Sequence, residues 1–184
     1  MPTLSRASDF NGDLSEFLNG YKYQPNLTPK LDDLARVNFT PELLNEIVLW
    51  KVNRYVSLDA DQLGRIDALA TLKPGEHRAA GPILEDLLGT HGVDLAMAST
   101  LLRFRNPSVF QIIDRHAYRA LYGRGYKMYS ATSPKKKIGV YFDYIDELRR
   151  LCDAKGLRFE TVDRVLYEFD KKQNGSLSKE KDGD

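Results

Sequence analysis

Asp114, in the run Ile113-Asp114-Arg115-His116-Ala117-Tyr118-Arg119, is the single acid in the most basic stretch of this 184-residue chain. A carboxylate set among cations can stabilise positive charge developing on a reacting carbon, and can orient or deprotonate an attacking water. Between Leu101 and Lys137 lie nine basic residues: Arg103, Arg105, Arg115, Arg119, Arg124, Lys127, Lys135, Lys136 and Lys137. With Asp114 as the only acid, that window carries +8 against +1 for the whole chain, so the remainder carries −7. Segregation of this size points to a polyanionic partner. The bland alternative is that distant acids balance these cations in space. By position Arg115 and Arg119 are candidates either to reach phosphates or to favour the charged form of the carboxylate.

Other reactive side chains carry weaker signals. Asp114 is also a natural N-cap for a helix from Arg115 to Leu121, and capping and chemistry are compatible roles. His116, in the first turn of that helix, reads as structural before catalytic. His77 and His91 are not spaced with it as metal ligands, and no acid–histidine cluster suggests zinc or iron, so neither a metal nor a cofactor is implied. The lone Cys152 excludes an internal disulfide, points to a reducing compartment, and reads as packing. Trp50, in Leu49-Trp50-Lys51-Val52, lies in a core helix and reads as packing before base stacking. Tyr118, Tyr122, Tyr126 and Tyr129 alternate with Arg119, Arg124 and Lys127, a mixture suited to a splayed nucleic acid strand. Some of those rings are equally able to close the domain.

The elements that would hold these residues are helical throughout. Apolar residues recur at helical spacing, and no run of strand-like alternation appears. Asp13–Leu18 reads as a short first helix. Thr28-Pro29, Thr40-Pro41 and Ser133-Pro134 each pair an N-cap type with proline at the first helical position. The second opens a helix with Leu44, Ile47, Val48, Val52 and Tyr55 on one face; the third opens one carrying Ile138, Tyr141, Phe142, Ile145, Leu148 and Cys152. Further helices are expected over about 60–72, 80–88 and 159–169, with Gly156 ending the penultimate one. Leu95–Leu102 has no charged residue on any face, as befits a helix at the centre of a domain. The chain thus reads as one all-α domain of eight or nine helices over 1–170, followed by a charged, disordered tail over 171–184. No segment has signal-peptide or bilayer-spanning character, so a cytoplasmic protein with no membrane association is expected.

With the elements in this order, the stretch from Leu84 to Tyr122 resembles the helix-hairpin-helix DNA glycosylase superfamily, which includes endonuclease III and the adenine-mismatch glycosylases. In that family a Leu-x-Gly-Val-Gly hairpin leads into a buried helix. A loop with glycine or proline follows, then an apolar pair and Asp-x-His-x-x-Arg. This chain supplies Gly92-Val93, the apolar helix, Asn106-Pro107, Ile112-Ile113, and Asp114, His116 and Arg119 at matching spacing; the glycosylase-like core would span about 40–155. The resemblance implies DNA as partner and Asp114 as the catalytic carboxylate for hydrolysing the N-glycosidic bond of a flipped base. Gly92 and the basic residues from Arg103 to Lys137 would hold the nucleic acid. Two positions depart from the pattern. Ala96 stands where bifunctional members carry a lysine nucleophile, which implies a water-using, monofunctional enzyme. Asp94 replaces the second glycine; as an N-cap it would occupy the helix N–H groups that bind phosphate and set a negative charge beside them. The alternative is therefore a catalytically inactive scaffold that binds nucleic acid or another protein.

Overall fold

The computed structural model describes residues 4–21, 28–36, 38–51, 58–126, 131–175 and 177, and among these every regular element is helical. Eight α-helices follow in chain order: α1 (Thr28–Asp32), α2 (Pro41–Lys51), α3 (Ala60–Ala68), α4 (Gly81–Gly89), α5 (Leu95–Arg105), α6 (Arg115–Tyr122), α7 (Pro134–Lys155) and α8 (Val162–Asn174). Six short 3-10 segments stand between or before them. The all-α expectation holds. The chain divides into two compact units: a central one of Lys22–Ile113 with Met128–Asp146, and a terminal one of Met1–Tyr21, Asp114–Lys127 and Glu147–Asp184.

In the central unit the start signals act as their residue types dictate. Thr40 precedes Pro41 at the head of α2, and its hydroxyl accepts the Leu43 N–H at 3.3 Å. Leu44, Ile47, Val48 and Trp50 are buried, while Val52 and Tyr55 lie outside the described residues. Helix α3 opens on a reciprocal capping box, Asp59 accepting from the Gln62 N–H and Gln62 accepting from the Asp59 N–H. It ends at Ala68 and tightens into a 3-10 turn over Leu69–Thr71, short of the continuous helix expected to residue 72. The reason is non-local: the Asn106 amide, at the C-cap of α5, donates to the carbonyls of Leu69 and Leu72 at 2.9 and 3.0 Å. Carbonyls at a helix end need such donors, and here they come from another element.

Helix α5 is the apolar rod expected of Leu95–Leu102, extended to Arg105. All of its residues but Ala96 are buried. Beyond it Val109, Phe110, Ile112 and Ile113 run buried to the end of this segment. The Val109 and Phe110 N–H groups return to the Asn106 carbonyl, and side chains meet backbone groups further along. Ser99 accepts the Ile113 N–H at 3.2 Å, while the fully buried Tyr141 and Tyr144 donate to the carbonyls of Gln111 and Ile112 at 3.0 and 2.8 Å. An irregular buried segment is tolerated only when its amides are paired in this way.

The terminal unit is built on α6, α8, the end of α7 and two N-terminal 3-10 segments. Phe10, Phe17 and Phe169 meet edge to face, their centroids 5.2–5.4 Å apart, a geometry that aligns ring edges with ring faces. Gly156 closes α7 at φ +65°, and the Leu157 N–H reaches back to the Cys152 carbonyl at 3.0 Å, the closure that favours glycine. Helix α8 continues to Asn174, four residues into the segment expected to be tail. Asn174 anchors it by donating to the Ser5 carbonyl and Asp170 and accepting the Ser5 N–H.

Cys152 is buried in this unit, and burial, with Asp153 adding its charge, pushes the thiol up to about 12. The thiolate is the nucleophile, so at pH 8 iodoacetamide is expected to label the native chain at least about 100-fold more slowly than the urea-unfolded chain. Equal rates would show the sulfur open to solvent.

Candidate functional site

Asp114 opens α6 as its N-cap, its Oδ1 accepting the Ala117 N–H at 2.8 Å. The other end of the helix closes on Gly123 at φ +65°, whose N–H donates to the Arg119 carbonyl. The capping role read from the sequence is therefore present. It uses one carboxylate oxygen; no described residue bonds Oδ2, and that half-buried side chain is not among those with sealed, unbonded polar atoms. The Tyr167 phenol lies in the field of this carboxylate: burial first, then the charges of Asp114 and Glu168, push its pKa up.

Beneath Asp114 in sequence, the other two residues of its pattern converge on a group that sequence reasoning missed. Asp170, on α8, is fully buried. The Arg119 guanidinium grips it through Nε and Nη2 at 2.8 and 2.7 Å, and Arg119 also donates to the Gly175 carbonyl. His116 Nδ1 lies 2.6 Å from Asp170 Oδ2, and Asn174 donates to Oδ1. Burial pushes the Asp170 carboxyl up, but the hydrogen bonds from His116, Arg119 and Asn174 and the charge of Arg119 outweigh it and hold the group below its ordinary value. The signal available in the sequence was positional. Asp170 stands four residues after the buried Leu166, on the apolar face of its helix, where a charge requires a partner.

The expectation that the basic window faces a polyanion needs correction at four positions. Arg103 is buried against Asp32 at 2.5 Å, Arg105 against Asp67 at 3.3 Å, Arg119 against Asp170, and the Lys137 ammonium against Asp94 at 2.8 Å. These cations are satisfied by acids from distant parts of the chain and are not presented to a ligand. Arg115 and Arg124, in the terminal unit, and Lys135 and Lys136, in the central unit, are exposed. Lys127 lies outside the described residues.

The α4–α5 connection is a tight turn. Gly92 adopts φ +82°, and the Val93 N–H bonds the Thr90 carbonyl. Asp94 caps α5 by accepting the Leu95 N–H at 2.7 Å, and the same oxygen receives the Lys137 ammonium. The helix N-terminus that would take a phosphate is thus occupied by a carboxylate with its own cation.

Of the aromatic run, Tyr118 is buried and packs against Tyr122 and Tyr126, with centroids 4.5 and 5.1 Å away. Arg124 stands 5.7 Å from the Tyr122 ring, and Tyr129 lies outside the described residues. Trp50 is buried in the central unit. His77 is buried too, its Nε2 3.3 Å from Asp146. Among the described residues no three His, Cys, Asp or Glu side chains are grouped to hold a metal ion, and no helix is long and apolar enough to cross a membrane. Compared with family models, curated proteins and solved structures, the chain matches none.

Proposed function

We propose that this chain binds DNA and hydrolyses the N-glycosidic bond of a flipped base, as a water-using relative of the helix-hairpin-helix glycosylases, with Asp114 as its carboxylate. The observation that carries the reading is the divided use of that side chain: Oδ1 is fixed by the Ala117 N–H while no described residue engages Oδ2. A carboxylate immobilised through one oxygen and open through the other is oriented to face positive charge developing on a sugar, as glycoside hydrolysis requires. Arg115 and Arg124 are exposed in the same unit, which supports a role for them on the phosphate backbone.

The test is a panel of labelled duplexes carrying different lesions and mismatches, assayed for abasic sites at low salt, where phosphate contacts are strongest. The wild type is expected to release base from at least one, and Asp114→Asn to lower that rate by about 100-fold or more. Asparagine is as good an N-cap as aspartate, so thermal stability is expected to hold. A wild type that releases no base from any duplex refutes the enzymatic reading.

A second reading has its own support. The Asp94–Lys137 pair fills the hairpin helix terminus, and Ala96 supplies no nucleophile. A catalytically silent scaffold that binds nucleic acid or a protein partner predicts equal duplex affinity for wild type and Asp114→Asn, with no base released by either.

A further inference from the structure

We propose that His116 is the proton acceptor of the Asp114 site, with the buried Asp170 as the positioning residue that fixes its tautomer. This assignment rests on the glycosylase reading above and deepens it.

Asp170 sets the tautomer. A buried carboxylate gripped by Arg119 and held below its ordinary value is ionised, so it can only accept hydrogen bonds. His116 Nδ1, 2.6 Å from Asp170 Oδ2, must therefore carry a proton. In neutral imidazole that leaves Nε2 with its lone pair bare. No described residue bonds Nε2, and it is not among the sealed, unbonded polar atoms, so solvent reaches it. A carboxylate–imidazole pair with one ring nitrogen fixed and the other open is the arrangement of a general base.

Asp114 and His116 stand two residues apart at the start of α6, and Tyr167 faces both. Its ring packs against the imidazole, with centroids 4.8 Å apart, and its hydroxyl lies in the field of the Asp114 carboxylate. Among the described residues, the charged and titratable groups facing His116 are Asp170 and Tyr167 from α8, with Arg119 behind Asp170 and Lys171 4.9 Å from the Tyr167 ring. The N-terminal 3-10 turn Ala7–Asp9, which also packs on α6, adds Asp9, and Asp114 belongs to the same segment as His116.

In the reaction, a water oxygen forms a bond to the sugar C1′ and gives one proton to His116 Nε2. The C1′–N bond breaks with its electron pair passing to the base nitrogen. The imidazolium then returns its proton to the departed base, so that one water is consumed and the imidazole is regenerated. Asp114 keeps its charge throughout and faces the cationic sugar.

The experiment is single-turnover base release from pH 5 to 9, on whichever duplex the lesion panel shows to be cleaved, for wild type and His116→Gln. The wild-type rate is expected to fall on the acidic side with one ionisation. His116→Gln is expected to lose about 100-fold and that acidic limb together, with duplex affinity unchanged. An unchanged rate, a surviving limb, or a loss of affinity in step with the rate overturns the assignment while leaving Asp114 in place. A wild type without base release overturns both. Long-range 1H–15N correlation of the wild-type imidazole at pH 9, the alkaline end of the same range, needs no variant to fold and is expected to show the proton on Nδ1 with Nε2 bare; a proton on Nε2 overturns the proposal.

Discussion

Asp170→Ala is expected to destabilise the protein by roughly 3–5 kcal/mol, the cost of leaving a buried charge without its partner. The Arg119 guanidinium is almost fully buried, and Asp170 is its only carboxylate among the described residues. Alanine would also withdraw the acceptor from His116 Nδ1 and from Asn174, whose amide ties α8 to Ser5. Urea unfolding followed by helical circular dichroism measures the loss. Replacing both charged partners with apolar residues, Asp170→Leu with Arg119→Met, is expected to recover much of it, because a well-packed apolar pair often matches a buried ion pair. A single Asp170→Ala variant within 1 kcal/mol of wild type would mean that the guanidinium finds water or another acid once Asp170 is gone.

The same carboxylate gives the stability a defined pH dependence. Its folded-state pKa lies below the ordinary value of 3.8, so the unfolded chain binds the proton more readily. The group therefore contributes stability that is present above the unfolded value and lost as the pH falls through the folded one. The difference between wild type and Asp170→Ala is thus largest at neutral pH and shrinks in strong acid.

What was legible in the sequence is what local chemistry determines. Thr40 before Pro41, Asp114 before α6, Asp94 before α5 and Gly156 after α7 each act as their residue types dictate. The uncharged stretch from Leu95 became the buried rod it had to be. The fate of the cations was illegible because it is decided by partners far along the chain. Arg103 and Asp32 are 71 residues apart, Arg119 and Asp170 are 51, and Lys137 and Asp94 are 43. A charge count over a window treats all nine as surface, whereas a buried cation is admissible only with an acid folded against it. Lys137 and Asp94 are the instructive case: read separately, one is a phosphate ligand and the other an obstacle to phosphate, but together they are one ion pair. The candidate site divides along the same line. Asp114 was found from a local pattern, while Asp170, which holds His116 and Arg119, entered only with the fold.

Trp50→Ala is the second large expected loss, again roughly 3–5 kcal/mol, as for other large aromatic side chains removed from a core. The indole is buried on α2, meets Phe104 of α5 edge to face at 5.2 Å, and donates its Nε1–H to the Thr28 hydroxyl at 2.7 Å. It thereby ties α1, α2 and α5 of the central unit together through a single side chain. Trp50→Phe keeps much of the ring contact but removes the donor, so its cost is expected nearer 1–2 kcal/mol, that of a buried hydrogen bond with one partner lost. The pair of variants separates packing from recognition. A core tryptophan loses stability in the order Ala, then Phe, while the proposed affinity of the folded protein for duplex DNA is the same in both variants. A base-stacking tryptophan would show the reverse, with affinity falling and the unfolding midpoint intact; that outcome would assign the proposed nucleic acid contact to the central unit.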